Sequence, residues 1–293
     1  MKIRNSLTIS FLFVYSYNYY GDVIMKTVVI TGSGRGFGLE MIKEFRLRDF
    51  NVVLCDVNEE SLKISEQEVI ELPGKGKVLA VAGDITKEED VTNIINKTVS
   101  TFKTIDIWIN NAGVNQKMTP VWDIEEKTVN RLIDVDLKGT IICSKEIMKV
   151  FKSQGYGSIY NVEGFGSNEE KQVGLSLYGT AKRGLTYFTD ALTFEVKKLG
   201  LNIIVGKITP GIMITNFIDT SLGDGDKFEL NEKTKNIYNI LGDYPETIAK
   251  WTVERVVNNK KNGAKIMWLT KTRAMGKFLK ATFKKNDYFS NNK

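Results

Sequence analysis

Histidine is absent from the 293 residues. Any mechanism that needs an imidazole base is excluded, and acid–base work falls to Tyr, Lys, Asp or Glu. Cysteine occurs only at Cys55 and Cys143, which excludes a disulfide framework and a Cys/His zinc site. No metal is expected. Internal repeats, low-complexity blocks and linkers are missing too. No apolar run is long enough for a comfortable membrane span. The early run Leu7–Val14 follows Lys2 and Arg4 like a signal peptide, but no small-residue cleavage site comes before the first strand. Residues 1–24 are therefore expected to be a mis-started or disordered extension, with Met25 as the natural beginning. The net charge of +6 comes from basic residues interspersed with acidic ones. That reads as a solvated surface rather than a nucleic-acid site.

What is present is ordinary globular composition, 42% hydrophobic and 26% charged, with length enough for a buried core. Apolar strand-like runs alternate with amphipathic helical stretches from Lys26 onward. Strands are expected at 27–30, 51–56, 77–82, 105–110, 158–162, 201–208 and 265–269. Helices are expected at 39–45, 59–72, 87–102, 124–152 (interrupted near Gly139) and 177–199. This rhythm predicts an α/β fold, a Rossmann-like doubly wound parallel sheet with helices on both faces. A single domain is expected over 25–272, followed by a basic tail over 273–293.

The most informative segment is Thr31-Gly32-Ser33-Gly34-Arg35-Gly36-Phe37-Gly38. A glycine-rich turn between a strand and a helix lets backbone N–H groups approach a pyrophosphate, and the helix N-terminus adds favourable dipole charge. Asp56 ends the second strand, near the offset of a carboxylate that binds an adenosine ribose. Such a carboxylate repels a 2′-phosphate and favours NAD. Arg35 pulls toward NADP unless it is a solvated loop charge, and Asp56 is given the greater weight. Asp84 and Ile85 follow the third strand, where Asp84 either holds an adenine amino group or caps the next helix. Asn110, Asn111, Ala112 and Gly113 follow the fourth strand as a close approach for cofactor or as a plain turn. Tyr178 and Lys182 stand four apart on one helix face. Of eleven Tyr, only Tyr178 has Lys four residues later, and a neighbouring ammonium favours the phenolate.

Together these motifs, with Pro210-Gly211-x-x-x-Thr215, resemble the short-chain dehydrogenase/reductase family over about residues 26–215 and on toward 270. The resemblance implies an NAD(P)-dependent oxidoreductase acting on a small-molecule carbonyl or secondary alcohol. It assigns Tyr178 as proton donor, Lys182 to the nicotinamide ribose and to lowering the Tyr178 pKa, and Thr215 to the carboxamide. It further implies a cytoplasmic homodimer or homotetramer paired through helices 124–152 and 177–199. Substrate selection is expected in 212–245, where Phe217, Ile218, Leu222 and Phe228 either line the site or pack in the core. Two departures stand out. Glu163 and Gly164 occupy the place of the usual serines, leaving Ser167 as the nearest hydroxyl, either polarising the carbonyl or a plain loop residue. Asp136 replaces the usual Asn, adding negative charge near Lys182. The segment from Asn161 to Asn168 looks like the subgroup containing plant chlorophyll b reductases and their bacterial relatives. The basic tail is either a helix packed on its own domain or a surface touching membrane. The alternative to an enzyme is a dinucleotide-binding regulator on the same fold.

Overall fold

A computed structural model describes residues 15–17, 23–214, 232–282 and 286–289. Seven parallel strands form the central sheet: β3 (Thr27–Thr31), β4 (Asn51–Asp56), β5 (Val78–Ala82), β6 (Ile107–Asn110), β7 (Gly157–Val162), β8 (Ile203–Thr209) and β9 (Ala264–Met267). They lie in the order β5-β4-β3-β6-β7-β8-β9. The chain runs outward from β3 to β5, returns to lay β6 beside β3, and then runs outward the other way. That reversal opens a crevice beyond the carboxyl ends of β3 and β6, where open α/β sheets bind ligands.

The strands are apolar on both faces because both are covered. Val28 and Ile30 pack beneath α1 (Gly36–Arg46) and α8 (Pro245–Asn258), whereas Val29 faces the opposite layer. That second layer is built by α3 (Glu88–Phe102), α5 (Thr140–Gln154) and α6 (Ser176–Lys198). Phe45, Ile248 and Val253 fill the first layer; Trp108, Cys143, Phe151 and Val205 fill the second. Cys55 and Cys143 are both buried and free. Burial pushes both thiols up, Cys143 to about 12.

The remaining described helices are α2 (Glu59–Ile70), α4 (Glu126–Ile133), α7 (Glu232–Leu241) and α9 (Lys271–Ala281). The expected break near Gly139 is a π-helical turn, Asp134–Gly139, between α4 and α5. β1 (Tyr15–Tyr17) and β2 (Val23–Met25) pair antiparallel in a separate two-stranded sheet. No helix among the described residues is long and apolar enough to cross a membrane.

Candidate active site

At one end of the crevice, Thr31 leads into the glycine turn. Gly32 has φ +61, and a Cβ there would stand 2.6 Å from the Ala112 Cα. At Gly38 a Cβ would stand 2.4 Å from the Gly32 carbonyl oxygen. Glycine is required at both positions because backbone meets backbone. The Asn111 side chain bridges the two strands, donating from Nδ2 to the carbonyls of Thr31 (3.0 Å) and Gly32 (2.9 Å). The Thr31 hydroxyl accepts from the N–H groups of Asn111 and Ala112, both at 3.1 Å.

Helix α1 begins here without a side-chain cap or an acidic residue in its first turn. Its first N–H groups are therefore available to an anion, with the helix dipole in support. Space is open around Gly36, where a Cβ would meet nothing within 4 Å. These features fit the pyrophosphate of a dinucleotide.

Asp56 hangs over the turn, accepting from the Gly34 N–H at 3.0 Å through Oδ2 and from the Asn58 N–H at 3.1 Å through Oδ1. Both oxygens keep lone pairs for a ribose. Ser33 is buried and ties the turn to β3 by donating to the Ile30 carbonyl at 2.7 Å. Phe37 packs in the core, while Arg35 is exposed and lines the same cleft as Asp56. Asp84 does not cap α3, which starts after Lys87. Its Oδ1 instead accepts from both the N–H (2.9 Å) and the hydroxyl (2.8 Å) of Thr86. A short polar side chain closes its own turn more readily than it reaches a helix starting four residues on. Ile85 lines the cleft beside it.

At the other end lie Tyr178 and Lys182, one turn apart on α6. The Lys182 ammonium sits 5.6 Å from the Tyr178 ring centroid. It also pairs with Asp136, Nζ to Oδ2 at 2.9 Å, and the other Asp136 oxygen accepts from the Val114 N–H at 2.7 Å. The π-helical turn carries Asp136 into this buried position. Burial works against the Lys182 charge, but Asp136, with Tyr178 and Glu163, outweighs it and holds the ammonium above its usual range. The expectation of a lowered Tyr178 pKa is corrected. Burial raises it, Lys182 opposes, and Asp136 adds to the rise. The ammonium is largely balanced by its own carboxylate partner, so desolvation decides the sign.

Gly164 leaves room for the phenol: a Cβ there would stand 2.3 Å from the Tyr178 Oη. Ser167 lines the cleft, but its hydroxyl donates to the Lys182 carbonyl and accepts from the Gly164 N–H, both at 3.3 Å. Glu163 is buried and borders the same cleft. Its carboxylate accepts from Thr186 Oγ1 (2.9 Å) and Thr209 Oγ1 (2.7 Å) and pairs with Lys265 (3.0 Å).

Both ends belong to one cleft of about 1560 Å³, more than a typical single-ligand pocket. Gly113, Pro210 and Gly211 line it between the two ends. Thr215, Phe217, Ile218, Leu222 and Phe228 lie outside the described residues. Met118, Leu175, Met213 and Tyr238 also line the cleft; Met213 and Tyr238 fall in the expected 212–245 segment, whereas Met118 and Leu175 were not singled out from the sequence. They come from separate loops and helices, so no spacing pattern links them.

A sequence profile described as short chain dehydrogenase matches residues 26–224. The chain belongs to the short chain dehydrogenase family. That is a family of NAD(P)-dependent oxidoreductases. One relative, from Arabidopsis thaliana, is named probable chlorophyll(ide) b reductase NYC1, chloroplastic; it is 30% identical over 85% of this chain and 52% of its own length. The chain spans about half the length of this relative and of its Oryza sativa counterpart. A diacetyl reductase [(S)-acetoin forming] of Staphylococcus epidermidis is 30% identical over 70% of this chain and 81% of its own.

The fold is that of solved members. Levodione reductase superposes with a TM-score of 0.75 at 23% identity, covering 85% of this chain and 98% of that one. A Brucella melitensis 3-ketoacyl-(acyl-carrier-protein) reductase, solved with NADH, gives 0.72 at 24% identity, with the same coverage of each chain.

Proposed function

We propose that the protein is an NAD-dependent oxidoreductase that interconverts a carbonyl and a secondary alcohol. The observation that carries this reading is the Tyr178 hydroxyl beside Gly164, with Lys182 on the same helix face, in a cleft that continues to the uncapped start of α1.

Bound NAD(H) supplies the hydride. Gly32–Gly38 and the start of α1 hold the pyrophosphate, and Asp56 takes the adenosine ribose hydroxyls. Lys182 holds the nicotinamide ribose, with Pro210 and Gly211 beside the nicotinamide. In reduction Tyr178 gives its phenolic proton to the carbonyl oxygen. In oxidation the phenolate takes the proton back from the alcohol. Asp136 keeps the Lys182 ammonium charged and fixed. Ser167 can polarise the carbonyl only after leaving its main-chain partners.

Asp56 favours NAD over NADP, with Arg35 the counterweight. The cleft-lining side chains of Met118, Leu175, Met213 and Tyr238 favour an apolar carbonyl compound. Exposed Tyr187 and Phe194 on α6 support assembly as a homodimer or homotetramer.

The test is NADH-dependent reduction of a carbonyl panel by the parent and by Tyr178→Phe. Removing the phenol is expected to lower kcat about 10²–10⁴-fold while NADH still binds. A variant with parental turnover overturns the assignment. NADH binding without turnover of any carbonyl favours the regulatory reading, for which the Asp136–Lys182 pair and the missing serines speak.

A further inference from the structure

Glu163 is almost completely buried, with 1% side-chain exposure. A carboxylate in that position costs several kcal/mol of desolvation unless it is fully partnered. Its partners come from three separate elements. Thr186 is on α6, one turn after Lys182; Thr209 ends β8 immediately before Pro210-Gly211; and Lys265 is on β9. Its own N–H donates to the Ile208 carbonyl at 2.7 Å, closing the link between β7 and β8. Glu163, Thr209 and Lys265 themselves line the cleft, and Thr186 lies one turn after Lys182, which lines it too.

We propose that Glu163 is a positioning residue that holds the Lys182 turn of α6 and the Thr209-Pro210-Gly211 turn in fixed register, so that the nicotinamide half of the dinucleotide is gripped from both sides. This rests on the dinucleotide reading of the cleft. The strand order places Asp56 and the glycine turn on the β3–β4 side of the switch point and Glu163 on the β7–β8 side. Losing Glu163 therefore acts on one half of the ligand. A hydroxyl in its place would reach one of these partners, whereas a carboxylate reaches three. Lys265 completes the device by balancing the charge from the outermost strand; it is one-third exposed, so the pair is only partly screened.

The test compares NADH with ADP, which lacks both the nicotinamide and its ribose, by titration of the full chain and of Glu163→Gln and Lys265→Gln. Glutamine keeps the length and much of the hydrogen bonding but removes the charge. The expected result is NADH affinity reduced about tenfold or more, because the nicotinamide-side groups lose their alignment, with ADP affinity unchanged. The two variants combined should lose less than the sum of their separate losses. Equal weakening of NADH and ADP, with a lowered melting temperature, would mean Glu163 merely supports the fold and would overturn the proposal. Parental NADH affinity in Glu163→Gln would overturn it as well. A parent chain that binds neither ligand would instead remove the dinucleotide reading beneath it.

Discussion

Lys182 and Asp136 form a buried ion pair, 2.9 Å from Nζ to Oδ2, with side-chain exposures of 8% and 0%. The pair places a negative charge within the field of the Tyr178 phenol. Burial already lifts Tyr178 above the usual phenol range, Lys182 opposes this, and Asp136 and Tyr238 reinforce it. The phenol is therefore protonated throughout the neutral range, the form that donates in reduction. The Asp136→Asn variant removes the anion and lowers the Tyr178 pKa. In reduction, the alkaline fall of kcat/KM should then begin at lower pH than in the parent. In oxidation, the alkaline rise should begin at lower pH. Profiles in both directions check this; a limb that stays in place or moves upward contradicts it.

Gly164 is a second point of leverage on the phenol. A methyl group there would stand 2.3 Å from the Tyr178 Oη and 3.2 Å from the Lys182 Cε. Gly164→Ala must displace one or both groups. A shift of about 1 Å at a reacting group costs about 10²-fold in rate. The expected outcome is that kcat falls by that order, while circular dichroism reports a folded protein. An unchanged kcat would mean that the phenol is not the reacting group.

Behind the site runs a buried polar seam. Asn110 accepts from the Trp108 indole N–H (2.7 Å) and donates to Asn161 Oδ1 (2.8 Å) and Ser144 Oγ (3.1 Å); Asn161 in turn donates to Thr189 Oγ1 (2.8 Å). Asn110→Ala leaves the indole N–H and the Asn161 oxygen unpaired. The expected destabilisation is about 1–3 kcal/mol, read as a lower urea midpoint with unchanged slope. A midpoint equal to the parent's would show that water or rearrangement satisfies the seam.

Much of this architecture was legible in the sequence, and the reasons are local. The glycine turn, Asp56 and the Tyr178–Lys182 pair each lie within one strand–turn–helix unit or one helical turn, where spacing dictates geometry. The alternation of apolar runs gave the doubly wound sheet because both faces of the strands are covered. The partners of Glu163 were not legible, since they come from α6, β8 and β9, and a carboxylate carries no mark of where it points. The sign of the Tyr178 shift was missed for a related reason. The negative charge of Asp136 near Lys182 was read from the sequence, but the burial of the phenol, the largest cause of the rise, was not. Asp84 shows the opposite case, a short-range competitor, Thr86, claiming a side chain for which an adenine contact or a helix cap was expected.

The central claim is tested most directly by titrating the purified chain with NADH and NADPH, following nicotinamide fluorescence. The account predicts saturable binding of both halves of the cleft to NADH, tighter than to NADPH because the Asp56 carboxylate repels a 2′-phosphate. Tighter NADPH binding would mean that Arg35 outweighs Asp56. Failure to bind either would contradict the dinucleotide site on which the proposed activity depends.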